Sequence, residues 1–288
     1  GEEALNANTH EIIDKLITMG IVYFRINLSR YNSMKDFVEH LDKVQELRAY
    51  YKNDINILID LPYPNEKIRI FREKYDYKDV TYGDEIIVES ANSPTSKNEV
   101  FRANVVDIDK LLENYNGAII YGDGELTFSL KEINTEKKSV TLIADQEGRV
   151  FSRKAISFGK IIPSQIDVEE MINKVNCVHP DAIALSFVDD VKSIMKIREY
   201  LDPSITVFSK IENYDGVNKI KDISKISDVI VARGDLLINT SCADFSNVQD
   251  KIIEEAKGNN KKVAVATGIL QSFAKRNIPT QAELIDLG

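Results

Sequence analysis

Lys210 and Glu212 stand two residues apart in Val207-Phe208-Ser209-Lys210-Ile211-Glu212-Asn213, where an apolar run ends. On a strand, positions i and i+2 share a face, so an ammonium and a carboxylate project together at the strand's C-terminal end. A second apolar run, Asp228-Val229-Ile230-Val231-Ala232, leads into Arg233-Gly234-Asp235 and sets a further carboxylate just past a strand end. Two carboxylates and a lysine converging in this way suggest a magnesium site with a charge-stabilising ammonium. The competing reading of Lys210 and Glu212 is a structural ion pair.

Elements that could position such a cluster are visible along the chain. Ile21 to Leu28, Ile55 to Leu61, Ala182 to Phe187, Ile205 to Ile211, Asp228 to Ala232 and Val263 to Thr267 read as buried strands. Their unbroken hydrophobicity marks parallel strands covered on both faces. Amphipathic helical stretches lie between them, near residues 9 to 19, 33 to 50, 166 to 175, 190 to 201, 214 to 225 and 245 to 258, giving the alternation of an α/β fold. Arg25, Asn27, Ser29, Asp60, Ser186, Lys210, Glu212, Asp235 and Thr267 all fall on the C-terminal side of their strands. In a (β/α) barrel that side gathers the catalytic groups, and a structural ion pair has no reason to prefer it. From Phe71 to Arg153 the pattern changes to short alternating runs, such as Asp84 to Glu89, Leu126 to Ile133 and Ser139 to Ala144, separated by turn residues that include Gly122-Asp123-Gly124. This stretch reads as a small all-β insert.

With 288 residues, 43% of them hydrophobic, the chain can bury a full-sized core. A formal net charge of -9 without a basic stripe argues against a nucleic-acid partner. No apolar stretch is long enough to span a bilayer and no signal pattern opens the chain, so a cytoplasmic protein with no membrane partner is expected. Cys177 and Cys242 lack metal-like spacing and read as isolated, buried thiols. His10, His40 and His179 are scattered, which leaves a histidine-based triad without support.

Several runs together resemble the pyruvate kinase family. These are Ser209-Lys210-Ile211-Glu212-Asn213 with Gly216 and Val217, Val231-Ala232-Arg233-Gly234-Asp235-Leu236, Arg25-Ile26-Asn27-Leu28-Ser29, Ser152-Arg153-Lys154 and Pro279-Thr280-Gln281-Ala282-Glu283. The resemblance implies a (β/α)8-type TIM barrel over residues 1–70 and 154–288, with residues 71–153 as an inserted β-barrel lid. It implies a magnesium-dependent phosphotransferase (manganese being the alternative metal) acting between phosphoenolpyruvate and ADP through an enolate that is then protonated. Glu212 and Asp235 would hold the metal, Lys210 would face the transferring phosphoryl oxygens, and Thr267 would orient the proton donor; for Thr267 the alternative is a cap of the following helix. Arg25 joins Lys210 and Thr267 in the catalytic set. Ala232, Arg233, Gly234, Asp235 and Ser186 would bind the substrate, and Arg25, Asn27, Arg30, Arg69 and Lys154 the nucleotide.

Departures from the family pattern carry their own expectations. Many members hold potassium beside the phosphoryl site through a threonine after the aspartate matched by Asp60, with a glutamate before Ile-Arg. Leu61 and Lys67 stand at those places, and a lysine there goes with independence from monovalent cations, so no potassium requirement is expected. Arg30 replaces a nucleotide-facing histidine, Leu237 and Asn239 replace a glycine and a glutamate, and Gly268-Ile269 follows Thr267 in place of Gln-Met. The family's first and eighth barrel strands and its C-terminal domain find no match, which leaves the expected barrel incomplete at both ends. Two other readings follow from these departures: a magnesium-dependent lyase or aldolase acting on a pyruvate-like acid, and a non-catalytic binding domain derived from the enzyme. A homo-oligomer is compatible with all three.

Overall fold

The computed structural model describes residues 7–28, 34–52, 54–72, 76–93, 100–113, 115, 117–122, 124–159, 161–164, 166–240 and 243–286. The chain forms two compact units, Gly1–Pro64 with Gln165–Gly288, and Asn65–Ser164. Each has its own apolar core.

The first unit is α/β. Its strands Tyr23–Asn27, Asn56–Glu66, Ala182–Ser186, Thr206–Ile211, Asp228–Ala232 and Val263–Ala266 pair in that order, each pair along this path parallel, while the two-residue strand Ile162–Pro163 pairs antiparallel with Asn65 and Glu66. Chain order and sheet order therefore coincide, and the described residues form an open sheet rather than a closed ring. Burial follows position in the sheet. Every residue of Ala182–Ser186, a central strand, is buried, whereas none of Val263–Ala266 at the edge is.

The helices between these strands show why the sequence folds locally as it does. Val168–Val178 buries Val168, Met171, Ile172, Val175 and Val178, one face at helical spacing; Asp167 accepts from the Glu170 amide at its start and His179 takes the left-handed conformation that ends it. Asp190 caps Val191–Arg198 in the same manner, and Phe245–Gly258 buries Val248, Ile252 and Ala256. The single helix expected near 214 to 225 is two, Tyr214–Asn218 and Ile220–Ile226, separated at Lys219, whose amide is shared among the carbonyls of Asp215, Gly216 and Val217. Cys177 is exposed rather than buried, its thiol donating to the Asn173 carbonyl one turn back; Cys242 lies outside the described residues.

The second unit is built around a closed seven-stranded barrel. Its strands run Lys154–Ser157, Arg69–Phe71, Phe101–Ala103, Glu85–Glu89, Ser139–Ala144, Leu126–Asn134 and Ile119–Tyr121, the last pairing back to the first. Only Glu85–Glu89 and Phe101–Ala103 pair in parallel. Arg69–Phe71 and Lys154–Ser157, at the two borders of the stretch 71–153 singled out in the sequence, supply two of the barrel strands. The insert is not wholly β: the short helix Ile108–Leu112 buries Ile108 and Leu112 in the barrel's core, a turn too brief for apolar periodicity to reveal.

Candidate active site

Parallel pairing lines up the C-terminal ends of the first unit's strands. Asn27 lies opposite Asp60, Asp60 opposite Ala184, Leu185 opposite Ser209, and Lys210 opposite Ile230. Polar residues at those ends become neighbours although they are far apart in sequence.

Lys210 is the hub. Its ammonium lies 3.1 Å from Glu212 Oε1, 3.3 Å from Asp60 Oδ2 and 3.3 Å from the Ser186 hydroxyl. Asp60, completely buried, also accepts two hydrogen bonds on Oδ2 from Arg25, from Nε at 2.9 Å and Nη2 at 2.5 Å. Ser186 donates to the Leu61 carbonyl at 2.8 Å, and the Phe187 amide donates to Glu212 Oε2 at 2.6 Å. The side chain of Lys210 is 12% exposed and that of Glu212 1%, so the charges meet in a poorly solvated place.

Burial there pushes the Glu212 carboxyl above the usual carboxylate range; Lys210 pulls it back, while the nearby charges of Asp235 and Asp60 raise it further. For Lys210 burial alone would favour the neutral amine, but Glu212 and Asp60 outweigh it and hold the group as an ammonium, its pKa raised. Lys210 sits between Glu212 and Asp60, Arg25 balances Asp60 from its other side, and Asp235 adds a negative charge near Glu212, so three carboxylates face two cations and leave an excess of negative charge. That excess is what a divalent cation would offset. Among the described residues no group of three or more His, Cys, Asp or Glu side chains is arranged to hold a metal ion unaided. The Glu212 and Asp235 pair suits magnesium or manganese, hard ions that accept carboxylate oxygens and complete their shells with water and substrate oxygens.

Beside this cluster the chain passes from Ala232 directly into the helix Arg233–Ile238, whose start has no side-chain cap. Arg233 reaches back, donating from Nε to the Thr267 carbonyl at 2.9 Å and from Nη1 to both Asp286 carboxylate oxygens at 2.8 Å. A Cβ on Gly234 would sit 3.2 Å from the Thr267 methyl, so the glycine is what lets these two segments abut. Thr267 itself, just past its strand, has φ of 78°. It does not cap the next helix, Gln271–Arg276, which begins after Leu270 without a side-chain cap.

Sequence reasoning placed Asp60 at a strand end without giving it a role, and it did not single out Asp286. Asp60 could have been found as an acid closing an otherwise apolar strand, a position that demands a partner. Asp286 carries no such signal.

The barrel-domain model of one family, described as pyruvate kinase, barrel domain, matches residues 4–288. The chain belongs to the pyruvate kinase family. It is 29% identical to the pyruvate kinase of Thermotoga maritima over 97% of this chain and 60% of that protein. Identity is 29% to the pyruvate kinase of Methylorubrum extorquens over 98% of the chain and 58% of the relative, and 26% to that of Clostridium perfringens over 98% and 60%. The chain thus spans about three fifths of the length of these relatives.

Of the residues that the pyruvate kinase resemblance marks for the nucleotide and for potassium, Arg25 and Asn27 lie in the first unit and Lys67, Arg69 and Lys154 in the second. Lys154 pairs with Glu125, and Arg69 Nη1 donates to the Arg153 carbonyl at 3.3 Å. Arg30 falls outside the described residues. Leu61 is fully buried in the first core. The comparisons give no support to the expected independence from potassium.

No described helix is long and apolar enough to cross a membrane.

Proposed function

We propose that this chain carries the catalytic barrel of a pyruvate kinase-type phosphotransferase, a (β/α)8-type barrel into whose sequence the second unit is inserted as a lid domain. The observation that carries this reading is the buried Lys210 ammonium held between Glu212 and Asp60, at strand ends that Asp235 also reaches. In the direction of ATP formation, the bond between phosphorus and the enol oxygen of phosphoenolpyruvate breaks. A β-phosphate oxygen of ADP bonds to that phosphorus, and the enolate left behind takes a proton on carbon to give pyruvate.

Each residue has a physical task in that sequence. Lys210 faces the phosphoryl oxygens and neutralises the charge spread over them, a role for which its carboxylate neighbours keep it protonated. Glu212 and Asp235 would hold a divalent ion, magnesium or manganese, which would supply further positive charge to the substrate's oxygens. The uncapped amides at Ala232 to Asp235 take the substrate carboxylate, with Gly234 admitting the close approach and Ser186 beside the Lys210 ammonium. Arg25, whose side chain is half exposed, presents its outer edge to phosphate. Asn27, Arg30, Arg69 and Lys154 contact the nucleotide, and Thr267 orients the proton donor. A glycolytic, cytoplasmic enzyme that associates with copies of itself fits this reading.

The test is a coupled pyruvate-formation assay with phosphoenolpyruvate, ADP and magnesium, run with and without potassium. Lys210→Met and Glu212→Ala should each lower kcat by about a hundredfold or more while the protein stays folded. Folded wild-type protein that makes no pyruvate under any of these conditions overturns the reading.

A further inference from the structure

Thr267 holds a conformation that its own chemistry disfavours. A β-branched residue at a φ of 78° crowds its side chain against the backbone, and such a state persists only where surrounding contacts enforce it. Gly268, next in the chain, is also left-handed, so the segment does not supply that rigidity by itself. The enforcing contact is the Arg233 Nε donation to the Thr267 carbonyl at 2.9 Å.

Arg233 is in turn fixed by Asp286, which receives Nη1 on both carboxylate oxygens. The pair lies at the surface, the Arg233 side chain 13% exposed and that of Asp286 28%. Asp286 is itself well placed to hold still. It closes the helix Gln281–Ile285, whose start is locked by a capping box between Thr280 and Glu283, and Glu283 Oε1 also accepts from the Ser272 amide at 2.5 Å. A rigid line of contacts therefore runs from Ser272 and Thr280 through Asp286 and Arg233 to Thr267, with Gly234 packed on the Thr267 methyl.

We infer that Asp286 is a positioning residue: through Arg233 it fixes Thr267 against Gly234 at the start of the helix Arg233–Ile238, and so sets where the threonine hydroxyl points into the site. The inference rests on the phosphotransferase reading, in which Thr267 serves the protonation of the enolate. Asp286 touches no reacting atom in this arrangement. Its effect is on the geometry of the protonation step and not on substrate affinity.

The experiment compares wild type with Asp286→Asn, Asp286→Glu and Arg233→Lys, reading kcat, KM for phosphoenolpyruvate, the solvent deuterium isotope effect on kcat, and thermal unfolding. Asp286→Asn should lower kcat by about tenfold or more, with KM nearly unchanged and a larger isotope effect, because proton delivery becomes slower. Asp286→Glu should restore most of the loss. Arg233→Lys, which keeps a cation for Asp286 but loses the Nε donor, should behave like Asp286→Asn and decides the matter if that variant fails to fold. Wild-type kcat and isotope effect in the variants overturn the inference, as does a kcat loss that merely follows the folded fraction with the isotope effect unchanged. An inactive wild type sinks the functional reading instead. A crystal structure of Asp286→Asn then judges the inference by itself, since it requires Thr267 to leave its left-handed conformation and the Arg233 bond to be lost.

Discussion

Asp60 answers two cations with one carboxylate, and the two are not of equal weight. Arg25 is half exposed, so water screens its side of the contact, whereas Lys210 meets Asp60 where neither is well solvated. Asp60→Asn takes from the buried lysine one of its two carboxylate partners and should destabilise the protein by roughly 3 kcal/mol, while Arg25→Ala should remove about 1 kcal/mol or less. Urea unfolding of both variants measures the difference, and similar small losses would show that Asp60 is not the buried anchor described. Lys210 and Glu212 were legible as a pair because strand alternation is a local rule, and the structure has them 3.1 Å apart. Asp60 was legible only as a member of a set. Its partner lies 150 positions away, and only the parallel order of strands brings the two together.

At the scale of elements, the run after Glu212 shows a motif whose residues have plain structural duties. Asn213 caps Tyr214–Asn218 by accepting from the Gly216 amide at 2.9 Å. Gly216 is constrained from another side: a Cβ there would lie 2.6 Å from the Val188 carbonyl oxygen, a backbone atom that cannot swing away. Gly216→Ala should therefore cost about 1–3 kcal/mol as an overpacked site, and Asn213→Ala about 1 kcal/mol as a lost cap. Gly258, at the end of Phe245–Gly258, has open space around its Cβ position and no left-handed φ, so Gly258→Ala should stabilise by about 0.5 kcal/mol. Denaturation midpoints of the three variants should fall on opposite sides of wild type; a destabilising Gly258→Ala or a neutral Gly216→Ala contradicts the packing described. Helix existence was readable from apolar spacing, but the break at Lys219 was not. Val217, Ile220 and Ile223 are all buried, and their threefold spacing runs across the break without interruption.

For the whole molecule, unbroken apolar runs such as Ile183, Ala184 and Leu185 made the parallel sheet legible, since a strand covered on both faces has no polar alternation to hide it. Closure of the second unit's barrel was not legible, because it depends on the short strand Lys154–Ser157 pairing with both Arg69–Phe71 and Ile119–Tyr121, contacts that no local pattern encodes. Two cores, formed separately, give the molecule a shared response to alkali. Tyr51 belongs to the first core and Tyr121 to the second. Burial pushes each phenol up to about 12 from 10.0; at Tyr51 the neighbouring Asp14 adds to the effect, and at Tyr121 the Phe151 backbone partly opposes it. A phenol that holds its proton more tightly when folded contributes stability that is complete below the unfolded value and is lost as pH rises through the folded one. Stability should therefore decline between about pH 10 and about pH 12 with a component from each tyrosine. Tyr51→Phe and Tyr121→Phe should each flatten part of that decline, and the two effects should add in the double variant because the residues sit in separate cores. Tyr121→Phe should also lower stability at neutral pH by about 1 kcal/mol, since the Phe151 amide loses its acceptor. The measurement is the urea midpoint across that pH range for wild type, both single variants and the double; a decline as steep in the double variant as in wild type removes the tyrosines as its source.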